Sequence, residues 1–178
     1  LVEIDSSYYA MPNERNSYLW TQRTSEDFVF DVKAFRLFTH HPTPLNSLPK
    51  AVRQELPSHL TEKANVYYRD MPTELTDELW KAFEGSLLPL DSAGKLGVVL
   101  FQFPSWFYPS SQQLDYILTC KQKLPQYRIA IEFRNNIWLG EKNQARTFDF
   151  LRRNGLPFVS VDEPQGFRSS VPPAAELT

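Results

Sequence analysis

The sequence holds a single cysteine, Cys120, in 178 residues. No internal disulfide is open to it, which fits a reducing compartment and points to the cytoplasm. No apolar run approaches the ~20 residues needed to cross a bilayer, so no membrane partner is expected. No charged leader followed by an apolar stretch opens the chain, so no secretory signal is read. Net charge is −2. That leaves no electrostatic footprint for DNA or RNA, although a local basic patch is compatible with it. Glycine is scarce, six residues against fourteen prolines, which favours rigid connections over flexible linkers. Only three histidines occur, His40, His41 and His59, and no His-x-His or His-Glu-x-x-His spacing. There is no Gly-rich phosphate loop, Walker motif or dinucleotide fingerprint.

What is present suits one α/β domain over 1–178. Hydrophobic residues make up 42% and aromatics 14%, enough for one sizeable core. Five β-rich runs stand out: "LVEID" (1–5), "FVFDVK" (28–33), "GVVLFQF" (97–103), "RIAIEFR" (128–134) and "PFVSVD" (157–162). Their near-continuous apolar character marks strands covered on both faces, as in parallel sheets. Helical patterns fall between them. One covers 13–23 and carries Tyr18, Leu19 and Trp20. A second opens at Pro72-Thr73, with Leu75, Leu79, Phe83 and Leu87 every fourth residue. A third starts at a capping box, Ser110 to Gln113, and carries Leu114, Ile117, Leu118, Cys120 and Leu124 inward. A fourth runs from about Lys142 to Asn154, with Ala145, Phe148 and Leu151 inward, and stops at Gly155. The stretch 40–71, with prolines at 42, 44, 49 and 57, reads as a long excursion with one short helix. The last ten residues read as a loop. Alternating strands and helices predict βαβ units. A closed eightfold barrel usually needs ~250 residues, so five strands would be an incomplete one.

Side chains alternate across a strand, so parity can be read directly. Glu3 pairs in parity with Asp5, Asp31 with Lys33, Glu132 with Arg134, and Ser160 with Asp162. Gln102 shares its face with Val98 and Leu100. In all five runs the polar groups gather at the C-terminal end. Parallel strands deliver those ends to one rim, where ligands bind in α/β proteins. A shared polar pocket is therefore expected. The alternative is charge pairing that merely closes the strand ends.

The ordered segments "VEIDSSYY" (2–9), Pro12, Trp20, "FVFDVKAFRLFTH" (28–40), "KLGVVLFQFP" (95–104), "AIEFRNNIW" (130–138) and "VSVDEP" (159–164) resemble domain-of-unknown-function family 72, the YecE-like family. The resemblance covers most of the chain and implies a barrel of the triosephosphate-isomerase type, TIM barrel for short. It implies no reaction. Likeness to metal-dependent endonuclease and sugar-isomerase barrels is analogy at the level of fold. By position, the family's polar motif residues fall on Glu3, Asp5, Ser6, Tyr8, Lys33, His40, Gln102, Glu132, Arg134 and Asp162. The family's opening strand is missing ahead of Leu1, and its closing strands after Thr178. The expectation is a barrel open as written: a fragment, or one completed by another chain.

Glu3, Asp5, Glu132 and Asp162 are the candidate acid–base groups, provided that two environments separate their titrations. A glycosidase would need a particular carboxylate separation, which sequence does not fix. A metal centre would want converging His and carboxylates. A carboxylate site for Mg²⁺ or Mn²⁺ needs no His. Lys33 could be a Schiff-base lysine only with a depressed pKa, and Asp31 on the same face would push the other way. Lys33 is therefore read as an ion-pairing or anion-binding group. Arg134 could grip a phosphate or carboxylate, or pair with Glu132 or Glu3. Gln102, Tyr8 and His40 are expected to orient a ligand. Trp106, Phe107 and Tyr108 could stack on a sugar or base, or plug the barrel top. Trp20, Trp80, Trp138 and Cys120 are read as packing. Two functions follow: a hydrolase or acid–base enzyme for an anionic sugar- or nucleotide-like ligand, or a non-catalytic nucleic-acid-binding barrel.

Overall fold

The computed structural model describes the chain except for residues 163, 166–169 and 175–177. The closing stretch, expected to be a loop, lies partly outside the described residues. The elements form a mixed α/β fold. Strands β1 (Val2–Ile4), β2 (Phe30–Lys33), β5 (Leu96–Phe103) and β6 (Ile129–Phe133) make a four-stranded sheet in the order β1-β2-β5-β6. The pairings β1–β2 and β5–β6 are both parallel. A small antiparallel pair, β3 (Thr43–Pro44) with β4 (Asn65–Val66), sits in the 40–71 excursion. Among the described residues the sheet is open and has four strands, where about five strands of an incomplete barrel were expected.

By compactness the chain divides into two units, Leu1–Val98 and Val99–Thr178. In the first, β1 and β2 are joined by α1 (Ser6–Tyr9) and α2 (Glu14–Gln22), a βαβ unit. Asn13 caps α2, its side chain accepting from Asn16 N at 2.8 Å. Tyr18 is 55% exposed, and the small Ser17 and Thr21 take the buried face. The excursion holds α3 (Lys50–Glu55) and α4 (Ser58–Thr61) rather than one short helix. Helix α5 (Thr73–Ser92) buries Leu75, Leu79, Phe83 and Leu87, as their four-residue spacing requires. Its Trp80 stacks on Phe38 with ring centres 3.7 Å apart. Lys95, only 6% exposed, caps the end of α2. Its Nζ donates to Thr21 O at 2.8 Å, Thr24 O at 2.9 Å and Thr24 Oγ1 at 3.1 Å, which satisfies a buried ammonium.

In the second unit, β5 continues into α6 (Ser111–Lys123) and returns as β6. Ser110 caps α6 and accepts from Gln113 N at 3.2 Å, as the capping-box spacing requires. All five residues of β6 are buried. Phe103, Phe107, Phe133 and Trp138 stack into one aromatic block, with Phe133–Trp138 centres 4.3 Å apart and Phe103–Phe107 centres 4.1 Å apart. Helix α7 (Gln144–Arg153) buries Phe148 and Leu151, but Ala145 is exposed and Thr147 takes its place. Thr147 reaches inward because its hydroxyl donates to Trp138 O at 2.9 Å. Gly155 ends the helix with φ +57°, where a side chain would be strained. The expected strand at 157–162 shrinks to one parallel bridge, Ile131 with Phe158. Two backbone bonds hold it, Ile131 N to Pro157 O and Val159 N to Ile131 O.

Candidate functional site

Gln102 and Glu132 are direct register partners at the ends of β5 and β6. Their side chains leave the sheet on one face, and Gln102 Nε2 donates to Glu132 Oε1 at 2.7 Å. Arg134 follows two residues on and donates through Nε to the same oxygen. Its backbone N–H is fixed by Phe103 O at 3.0 Å. Glu132 is 4% exposed, whereas the Arg134 side chain is 39% exposed. Two donors aimed at one oxygen make Glu132 an acceptor there. Neither bond touches Oε2, so the second oxygen is the one without a hydrogen-bond partner among the described residues.

Hydrogen bonds fix the loops that follow β5 and β6. Asn135, buried, donates through Nδ2 to Ser105 O at 2.6 Å and accepts Ile137 N at 2.9 Å. Trp138 Nε1 donates to Phe107 O at 2.6 Å. These bonds tie the 104–108 loop to the turn after β6. Phe107 is thereby buried in the aromatic block, while Trp106 and Tyr108 stay 52% and 57% exposed. Of the three expected stacking aromatics, Phe107 is packing.

In the first unit, Lys33 ends β2 and its Nζ meets Asp5 at 3.0 Å and Glu3 at 3.8 Å. The Lys33 bond holds the Asp5 carboxyl below its ordinary value, against a smaller opposing effect of burial. Ser7 locks the strand ends, its hydroxyl 2.7 Å from both Ile4 O and Lys33 O. Tyr8 lies under two cations, Lys33 Nζ at 5.7 Å and Arg36 Cζ at 5.2 Å from its ring centre. Burial raises the Tyr8 phenol, and the Arg36 charge opposes that. His40 stacks on Tyr68 with centres 6.1 Å apart. Burial, then the Arg69 charge, lowers its pKa to about 4. Burial, then the Arg36, Lys33 and His40 charges, lowers His41 to about 4 as well. Cys120 is fully buried and its thiol is pushed far up by desolvation, which suits packing. Trp80 and Trp138 are buried too, whereas Trp20 is half-buried.

The site residues therefore fall into two sets: Glu3, Asp5, Tyr8 and Lys33 in one unit, Gln102, Glu132 and Arg134 in the other. Asp162 joins neither. The strand that was to carry it stops after Phe158, and Asp162 is exposed with no hydrogen bond or ion pair to a described residue. Asp31 bonds a neighbouring backbone rather than a cation: its Oδ1 accepts Val98 N at 2.9 Å. Among the described residues no three His, Cys, Asp or Glu side chains converge to hold a metal. Sequence reasoning passed over Arg36 and Asn135, and read His41 and His59 as surface or packing residues. The "RLFTHH" and "RNN" runs adjoin strand ends, and that adjacency was the available signal.

No helix among the described residues is long and apolar enough to cross a membrane. The UPF0759 protein YunF of Bacillus subtilis (strain 168) is 31% identical over all 178 residues, which span 54% of its length. A crystal structure of a DUF72 family protein from Enterococcus faecalis V583 superposes with a TM-score of 0.76 at 26% identity, over 99% of this chain and 60% of that one. A second, from Thermotoga maritima MSB8, gives 0.62 at 26% identity, over 96% of this chain and 53% of the other. The chain thus spans about half the length of the relatives it matches. The family model described as "Protein of unknown function DUF72" matches residues 1–178 throughout, and the chain belongs to that family.

Proposed function

We propose that the ends of β5 and β6 carry an acid–base site, with Glu132 as the proton-transferring carboxylate. The ligand is a small anionic molecule, a sugar- or nucleotide-like phosphate or carboxylate, and the reaction is hydrolysis or proton transfer. The observation that carries this reading is the asymmetry of Glu132. Gln102 and Arg134 both bond Oε1, so the carboxylate is oriented by one oxygen and can act through the other. Arg134, 39% exposed, brings a cationic edge to solvent beside it for the anion. Gln102 orients; it carries no charge of its own. The exposed Asp162, and Glu3 and Asp5 on Lys33, are weaker candidates for proton transfer. Their surroundings are wetter: the Glu3 and Asp5 side chains are 40% and 64% exposed against 5% for Glu132. Lys33, Tyr8 and His40 are proposed as ligand-binding groups of the first unit. The parallel order β1-β2-β5-β6 and the DUF72 likenesses support reading the sheet as an arc of a TIM-type barrel domain. The lone buried Cys120 supports a cytoplasmic location.

The test is turnover. A panel of phosphate esters and sugar acids is offered to the full-length protein and products are followed by NMR. Glu132→Gln is expected to lower kcat by about 10²-fold or more while ligand affinity changes little. Unchanged kcat would remove Glu132 from the chemistry.

A second reading has one observation in its favour. Trp106 and Tyr108 stand exposed on a loop held by Asn135 and Trp138, a platform on which bases could stack. It describes a non-catalytic nucleic-acid-binding barrel. RNA or DNA binding that falls steeply with salt, and needs Trp106 but not Glu132, would favour it over the enzyme.

A further inference from the structure

After Lys33 the chain passes through Ala34 and Phe35, both fully buried, into a single 3₁₀ turn over Arg36–Thr39. Phe35, Leu37 and Phe38 anchor that turn in the core. Arg36, set among them, is left half-buried with its guanidinium carbon 5.2 Å from the centre of the Tyr8 ring. Lys33 Nζ approaches the same ring at 5.7 Å. The two cations differ in one respect. Lys33 has Asp5 and Glu3 as counter-charges. Arg36 makes no ion pair among the described residues, and its Nε is sealed from solvent with no acceptor. A guanidinium drawn partly out of water, with one N–H unmet, is held at a cost the fold does not itself recover.

The backbone around it is also held against its preference. His40 sits at φ 61°, the one non-glycine residue among those described with a positive φ. The left-handed bend sends the N–H of His40 to Leu37 O and that of His41 to Arg36 O. It returns the His41 ring to the edge of Tyr8, centres 5.2 Å apart. Thr39 Oγ1 lies 2.9 Å from His41 Nδ1 and orients the imidazole. Burial and the neighbouring charges keep both histidines neutral near pH 7, so the local positive charge is that of Arg36 and Lys33. An aromatic ring carrying two cations, one of them without an anion, beside a strained turn and polar imidazoles, lacks one partner: a negative group.

We propose that this turn is an oxyanion site, in which Arg36 and Lys33, seated on Tyr8, receive the phosphate or carboxylate group of a small molecule. The site lies wholly within the first unit. It does not depend on Glu132 being catalytic.

The test uses the full chain, with inorganic phosphate and acetate titrated separately and the His41 imidazole followed by NMR. A bound anion offsets the Arg36 charge, so the His41 pKa is expected to rise from about 4 toward its ordinary value as the anion saturates. A response to phosphate alone identifies a phosphate group, and to acetate alone a carboxylate. Arg36→Gln is expected to weaken the anion at least tenfold and abolish the His41 response. Arg134→Gln is expected to leave that response intact, which separates this site from the one beside Glu132. If Arg36→Gln does not fold, Tyr8→Leu serves instead, with several-fold weaker binding expected. No saturable His41 response to either anion, or an undiminished one in the substituted protein, overturns the proposal.

Discussion

Asp31 accepts the backbone N–H of Val98 at 2.9 Å, directly beside Gly97, where an added Cβ would lie 2.2 Å from the same carboxylate oxygen. The aspartate whose parity matches Lys33 is thus a side-chain rung from β2 to the start of β5. The glycine is absent of side chain because that rung needs the space. Gly97→Ala is expected to destabilise the protein by about 1–3 kcal/mol, since the Val29 side chain at 2.8 Å closes the other way out. In the Asp31→Ala background the same change should cost less, and urea unfolding of the double-mutant cycle measures the difference.

Trp138 holds the 104–108 loop through one buried bond to Phe107 O. Trp138→Phe keeps an aromatic face against Phe133 but leaves that carbonyl without its donor. A loss of about 1–3 kcal/mol is expected. If Asn135 alone fixed the loop, urea unfolding would show a change within a few tenths of a kcal/mol.

His40 and His41 make stability depend on pH in a stated direction. Both folded values, about 4, lie below the ordinary 6.5. Between those values the unfolded chain binds more protons than the folded one. Their contribution is therefore complete above pH 6.5 and is lost as pH falls toward 4, by at most about 1.4 kcal/mol per pH unit for each histidine. Asp5 acts lower still: its depressed value adds stability above the ordinary carboxyl pKa and loses it as pH falls further. Urea midpoints from pH 7 to 4 should fall, and His40→Asn with His41→Asn should flatten that fall.

The strands of this fold were legible because buried parallel strands are written as unbroken apolar runs. Four of the five runs became β1, β2, β5 and β6. The fifth, "PFVSVD", has the same composition, yet only Phe158 finds a bridge, with Ile131. A strand needs a partner edge, and composition does not supply one. Helix α5 was plain from its four-residue spacing. In α2 and α7 the small polar residues Thr21 and Thr147 took the buried face by bonding carbonyls at 2.7 and 2.9 Å, which hydrophobic periodicity does not register. Strand parity paired Glu132 with Arg134 and put Gln102 at the end of another strand; Gln102 and Arg134 bond one oxygen of Glu132. It did not name the partner of Asp31, Val98 N, because parity gives a face and not a contact. Arg36 and His41 escaped it altogether, as they lie on a turn where the period of two has ended.

The chemistry assigned to Glu132 rests on its second oxygen facing the ligand. A crystal structure of the full-length protein with a bound substrate or product tests this most directly. The account predicts ligand density within hydrogen-bond distance of Glu132 Oε2, its anionic group on Arg134, and Gln102 still on Oε1. Ligand bound elsewhere, with Glu132 held by Gln102 and Arg134 and touching none of it, would contradict the account.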